Sequence, residues 1–513
     1  MRPLIKPLIL LTVLSYLPMV AIVWPLWDDW TLHGLTFDQI ASPFKMNGGY
    51  YVGTPFLHQF INNIPYGTLL LRIIALGLIT CVPLIYARIF SKLNIPQPLV
   101  YLLALVTASV PVFANAFPQI DFPYLICYVI YLSSILGIIN YLQDKEARWS
   151  VYLLIIPLSI SYITNSFLFH IIPSILILLL YINFQTDKPH VTKIKHIASV
   201  IFLSVLAFFT YKTLFMQTSG SYENYNKITL KGLLFEGPKV TALTLLYIVK
   251  GYIDILVPAL KNITHLIILA VTSTIIYQLL KRINLGNLNL TRKYIYMLAG
   301  VGLFLFAIGI YPYGVVGKTA LSYLDWAQRH LMLVPVGIAF ILVSFILLLP
   351  NSNLKIGGLA ILLSSFLLIR VYVLVQFYHA ARLQQAFVQT YQQLPISNEE
   401  SYLFVIDNQP QAHLIWRFYE FGGLLRQQHL KNNKLFLYAS GKYVNKSGGL
   451  NMDKLEPEYF NEAIYGIQDF NSTNYQTKHI TLSYQSTLSI PDFFKSLFMQ
   501  QSGLHDVKIT LIN

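Results

Sequence analysis

The sequence predicts an all-α polytopic membrane protein of about 11 transmembrane helices, followed by a small C-terminal extracytoplasmic α/β domain. Three observations predict it. Of the 513 residues, 55% are hydrophobic and only 11% charged, where a soluble domain carries about 25% charged residues. Apolar runs of about 20 residues recur, the length that crosses the hydrocarbon core as helix. After about residue 380 the composition turns polar and rich in Gln and Asn. The boundary is therefore placed between a membrane domain, 1–380, and a soluble domain, 381–513. The bilayer cannot solvate free backbone groups, so the spans must be helices. The alternation of barrel strands is absent.

Along the chain, the first apolar run, Leu8 to Trp24, follows Arg2 and Lys6. Trp24, Pro25, Leu26 and Trp27 follow it in place of a small-x-small cleavage site, so it reads as an uncleaved first span. Spans are expected near 8–26, 67–90, 98–117, 123–142, 150–163, 167–184, 197–216, 263–280, 294–312, 331–349 and 356–378. In this count Arg88, Lys92, Lys145, Arg148, Lys188, Lys193, Lys195, Lys281, Arg282, Arg292 and Lys293 share one side, which is cytoplasmic by the positive-inside rule. The net charge of +14 is thereby explained without nucleic acid. Cys81 and Cys127 lie inside apolar spans and read as packing residues.

Residues 239–261 are apolar but carry Lys250 and Asp254 mid-run, where a charge costs about 2.5–3.5 kcal/mol on insertion scales. They read as an amphipathic helix in the outer interface. The spans at 150–184 form a tight hairpin through 162–166. Beyond 380, strands are expected at 402–406, 434–438 and 507–511, with a helix around 411–430. There is no internal repeat of the kind that marks many transporters.

The candidate chemistry faces outward. Trp27-Asp28-Asp29-Trp30 follows the first span. It is either a solvated loop between interfacial tryptophans or a general base, since one carboxylate raises its neighbour's proton affinity. Arg72 lies early in the second span, and Lys318, Arg329 and His330 lead into the tenth. Such residues either snorkel to headgroups or bind a lipid phosphate, for which arginine's bidentate fork is suited. Lys212 reads as a snorkelling residue. Asp121, in the short turn 118–122, must lie close to the membrane. Asp38, His58, Asn165 and His170 are the other outward polar residues. His58 reads first as a packed histidine and second as a metal ligand.

These residues, in this order, resemble the GT-C superfamily of polyprenyl-phosphate-dependent glycosyltransferases over roughly residues 1–345. The acidic pair in the first outer loop is Asp28-Asp29. Gly53-Thr54-Pro55-Phe56-Leu57-His58 is similar to the proline-bearing stretch that follows it in that family. Leu71-Arg72-Ile73-Ile74-Ala75 and Leu84-Ile85-Tyr86-Ala87-Arg88 resemble the second span. Arg329-His330-Leu331-Met332-Leu333-Val334-Pro335 is similar to the late helix start. The hairpin at Thr164-Asn165 resembles the family's break, but the lysine common there is missing. Within the superfamily the chain most resembles bacterial glucosyltransferases that decorate O-antigen or related surface polymers.

The resemblance implies inverting transfer of a sugar from a polyprenyl-phosphate-linked donor to a glycan or glycolipid acceptor. Asp28 or Asp29 would be the base. Arg72 and Arg329, aided by Lys318 and His330, would hold the phosphate, while Asn165 and Asp38 would contact the acceptor. Asp121 would orient the acceptor or bind a divalent metal, Mg or Mn. The segment 217–262, with Gly220, Ser221 and Asn224, would form a lid, and the terminal domain would grip the acceptor. It also implies a bacterial cytoplasmic membrane location. Two other readings stay open: a polymerase or ligase of lipid-diphosphate-linked oligosaccharides, and a lipid or glycan transporter.

Overall fold

The computed structural model describes residues 2–26, 29–46, 53–112, 117–143, 149–164, 166–171, 174–176, 191–215, 227–282, 290–318, 326–408, 417–428, 430–431, 433–445, 449–451, 454, 474–484, 487–499 and 507–512. Asp28, Asn165, Gly220, Ser221 and Asn224 lie outside the described residues.

The helices begin where the apolar runs begin. They are α1 (Arg2–Val20), α2 (Asp29–Leu32), α3 (Phe37–Met46), α4 (Thr54–Asn63), α5 (Gly67–Lys92), α6 (Gln97–Ser109), α7 (Phe122–Gln143), α8 (Ile155–Tyr162) and α9 (Val191–Phe215). There follow α10 (Gly237–Leu260), α11 (Ile263–Lys281), α12 (Arg292–Val315), α13 (Pro335–Leu347) and α14 (Ser352–Tyr391). Polar side chains cap α11, α12 and α14. Asn262 accepts from the Thr264 amide (2.9 Å), Thr291 from Tyr294 (3.3 Å) and Asn351 from Leu354 (2.8 Å), each satisfying a donor that the first helical turn leaves free. Tyr66, in the left-handed region at φ 58°, turns the chain into α5.

Seven helices among the described residues are long and apolar enough to cross a membrane: Gly67–Lys92, Phe122–Gln143, Val191–Phe215, Gly232–Leu260, Ile263–Lys281, Arg292–Val315 and Ser352–Tyr391. The chain is thus a multi-pass membrane protein, and six of the eleven expected spans fall on these long helices among the described residues. Five expected spans fall on shorter apolar helices, Lys6–Val20, Gln97–Ser109, Trp149–Tyr162, Ser166–Leu176 and Pro335–Leu347. Pro111 follows the end of α6 closely, and Pro335 opens α13 only after a 3-10 turn over Trp326–Leu331. A ring without a backbone donor marks such ends.

Residues 239–261, expected in the interface, are in one of the seven by length and composition. Yet the two ends of this helix meet the same end of the bundle. A Cβ on Gly232 would lie 2.2 Å from the Val315 carbonyl at the close of α12. At its other end, two residues separate α10 from α11, whose His265 ring packs against Tyr372 of α14. Lys250 and Asp254, one turn apart, are both exposed.

The bundle closes on one apolar core that includes Leu99, Leu103, Leu125, Tyr128, Val336 and Leu363. α12 and α13 touch through glycine: a Cβ on Gly337 would sit 2.5 Å from the Phe306 amide nitrogen. Small residues let membrane helices approach backbone to backbone in this way.

The C-terminal part is a four-stranded sheet in the order β2-β1-β3-β4, built from β1 (Ser401–Ile406), β2 (Lys434–Tyr438), β3 (Tyr475–Ser483) and β4 (Lys508–Ile512). β1 pairs parallel with β2 and β3, and β4 runs antiparallel to β3. Two helices accompany it, α15 (Phe418–Gln427) and α16 (Ile490–Met499). β3 and α16 were not among the expected elements. The expected boundary at 381 falls inside α14, which runs without a break through 40 residues, or about 60 Å at 1.5 Å per residue. Its Leu359–Leu374 stretch contributes to the bundle core, and Leu383, Phe387 and Tyr391 belong to the core of the sheet domain.

Candidate active site

The short helix α2 starts on Asp29, whose carboxylate is buried and bridges two loops. It accepts from the amides of Leu26 (3.2 Å), Gln119 (2.9 Å) and Ile120 (2.9 Å). Burial pushes this carboxyl up to about 6, against the lowering pull of those amides and of Arg72. Arg72, one turn into α5, is fully buried and donates to the Trp24 carbonyl. Its Nε and Nη1 have no hydrogen-bond partner among the described residues. The Gln119 amide group donates to the His58 carbonyl at 3.2 Å. The turn that carries Asp121 is therefore pinned from two sides.

Asp121, buried at the start of α7, lies 3.8 Å from Arg329, whose side chain is 26% exposed. The Tyr313 ring stacks on His330 at 4.7 Å, and its hydroxyl donates to Ser166 at 3.4 Å. Lys318 follows the end of α12, its amide donating to the Tyr313 carbonyl at 2.9 Å across Gly317, which adopts φ +74°. Burial, and then Arg329 beside it, push the Lys318 ammonium down to about 8. Gln328, buried, ties this segment to the Pro111 carbonyl at 2.8 Å.

The structure thus brings Asp29, Arg72, Asp121, Arg329, His330 and Lys318 around one turn at one end of the bundle. His58 joins through its backbone only. Its ring is buried against Phe44 at 5.6 Å, and burial pushes it down to about 3, so it is neutral. Among the described residues no group of three His, Cys, Asp or Glu side chains gathers around it or elsewhere. Asp38 is exposed in the first turn of α3 and makes none of these contacts. Lys212 stays near the end of α9, over the Phe208 ring at 5.9 Å. His170 bonds Tyr131 within the bundle (3.2 Å).

An apolar cavity of about 660 Å³ opens between α10 and α12. Pro238, Thr241, Leu245, Phe304, Ile308 and Tyr311 line it. The cavity lies along the face of α12 that carries Phe304, Ile308 and Tyr311, and the same helix leads on to Lys318.

The sheet domain reaches the same loop. Arg426 of α15 donates to the carbonyls of Trp30 and Thr31, both at 2.9 Å. The Trp30 indole donates to Gln384 at 3.0 Å, and Gln384 donates to Glu420 at 2.8 Å. A Cβ on Gly423 would lie 2.2 Å from the Trp30 carbonyl oxygen. Sequence reasoning missed Gln119, Tyr313, Gln384, Gly423 and Arg426, whose roles exist only through partners far along the chain. No protein-family model matches the chain, and no curated protein matches it.

Proposed function

We propose that this protein is a membrane glycosyltransferase that moves a hexose from a polyprenyl-phosphate donor to a cell-surface glycan. One observation carries the reading: the buried carboxylates of Asp29 and Asp121 gather with Arg72, Lys318 and Arg329 at one end of a membrane bundle, and an apolar cavity lies against α12, the helix that leads to Lys318. That arrangement suits a substrate with an anionic head and an isoprenoid tail. The tail lies along α10 and α12, and the phosphate meets Arg329, Lys318 and His330. Arg72, with two unbonded guanidinium nitrogens, adds positive charge to the same end.

In the transfer, an acceptor hydroxyl gives its proton to Asp29 and its oxygen attacks the anomeric carbon from the face opposite the phosphate. The carbon–oxygen bond to phosphate breaks as the new glycosidic bond forms, inverting the centre. Polyprenyl phosphate leaves with the bonding pair, held by the cations. Asp121 orients the acceptor. A carboxyl near 6 serves as a base near neutral pH, and general-base catalysis is worth roughly 10²–10⁴-fold. A bacterial cytoplasmic membrane, with this end and the sheet domain outside, is part of the proposal.

The reading is tested by incubating purified protein with a polyprenyl-phosphate hexose and a glycan acceptor. Asp29→Asn and Asp121→Asn should each lose at least 100-fold in rate while remaining folded in the membrane. Full activity in both variants would sink the assignment. Three clustered cations would also suit a diphosphate, so the same assay with a polyprenyl-diphosphate glycan decides between a transferase and a ligase or polymerase.

A further inference from the structure

The helix α16 has two faces. One is packed: Ile490 and Phe493 are buried, and Phe493 meets the Tyr378 ring of α14 edge-on at 4.8 Å. Ser496 donates to the Tyr378 hydroxyl at 3.3 Å. The chain just before the helix is clamped by Gln376, which bonds both the Leu488 carbonyl (2.8 Å) and the Leu488 amide (3.1 Å). The Ile490 amide donates to His265 in the first turn of α11 at 3.5 Å. The other face is apolar and open. Phe498 is 83% exposed and Phe494 42%, one turn apart, with the Lys495 side chain 58% exposed beside them and 3.9 Å from the Asp492 carboxylate.

The height of this helix is set by what it touches. α11 is one of the helices able to cross a membrane, and its first turns expose Ile263, Leu266 and Ile267. From Ser352, a hydrocarbon core of about 30 Å is crossed in about 20 residues. Gln376 and Tyr378 on α14 then fall in the headgroup layer just beyond. α16 therefore lies at the boundary where α11 and α14 leave the hydrocarbon.

We infer that α16 is an interfacial membrane anchor, which inserts Phe494 and Phe498 into the leaflet on the sheet-domain side and sets Lys495 among lipid phosphates. An aromatic face with a flanking lysine is the composition that partitions to this depth. The inference does not depend on the transfer reaction. It gives the sheet domain a second hold on the membrane besides α14.

The test uses full-length protein in vesicles of phosphatidylcholine and phosphatidylglycerol. A nitroxide is placed by Phe498→Cys in a Cys81→Ala, Cys127→Ala background, with Ile267→Cys and Lys442→Cys as references. Relaxation at 498 should be raised more by oxygen than by a water-soluble nickel chelate, as at 267 and opposite to 442. A label that responds like 442, or is shielded from both agents by protein, overturns the anchor. The unmutated protein gives a second measurement with a photoreactive phosphatidylcholine. Adducts should appear on the tryptic peptide 496–508. Adducts on α11 with none on that peptide would also overturn it.

Discussion

At Asp29 and Lys318 the same cause, burial, works in opposite directions. It favours the neutral form of each, so the acid rises to about 6 and the ammonium falls to about 8. With Asp29 as base and Lys318 as a phosphate ligand, kcat/KM should rise with pH through about 6 and fall through about 8. Lys318→Arg should move only the alkaline limb upward, because a guanidinium stays charged there. The acid limb has a stability side. The fold holds the Asp29 proton more tightly than the unfolded chain does. This contribution is therefore full below the ordinary carboxylate range and is lost as pH rises through about 6. Arg370 makes a different residue-scale case. It is buried over the Tyr16 ring at 4.4 Å and donates to Ser15 (2.7 Å), to the Val110 carbonyl (2.9 Å) and to the Ala108 carbonyl. Arg370→Leu removes the guanidinium donor from Ser15 and the Ala108 carbonyl, while the Val110 carbonyl keeps the Val112 amide at 2.9 Å, and should cost about 1–3 kcal/mol, read as a lower melting temperature of the purified protein in detergent.

Among the elements, α2 and α15 are the pair to watch. The backbone of α15 at Gly423 comes against Trp30, and Arg426 holds the Trp30 and Thr31 carbonyls. Gly423→Ala must push α2 away, and Asp29 moves with it. A displacement of about 1 Å in a positioned group can cost about 100-fold in rate. kcat should therefore fall toward that level while the KM for the lipid donor, bound at the far side of the turn, changes little. Asp29, Arg72, Asp121 and Arg329 were legible in the sequence because each is a charge beside an apolar run, and such charges are costly without a role. α16 and β3 were not legible. The run that forms α16 is ten residues long, and its apolar face is shared between α14 and open surface. β3 alternates imperfectly because it is central on one side and partly exposed over Gln476, Thr477 and Lys478. The number of crossings is less legible for a related reason: an apolar run marks a buried helix as readily as a crossing one, and α6 and α13 are short helices largely buried within the bundle.

For the whole molecule, α14 is the member common to both cores, and its length has a rotational consequence. Between Leu374 in the bundle and Leu383 in the sheet domain there is no loop to absorb an added residue. One inserted residue turns everything beyond it by about 100° and lifts it by about 1.5 Å. A single alanine inserted after Ala380 should swing Gln384 off the Trp30 indole and abolish transfer. Four inserted alanines bring the helix back to within about 40° of its phase and should restore more of the Trp30 contact than one does, as read by protection of that indole from oxidation. The two halves of the protein are geared to each other through a single shaft, and the angle at which the sheet domain faces the membrane is written into the residue count of one helix.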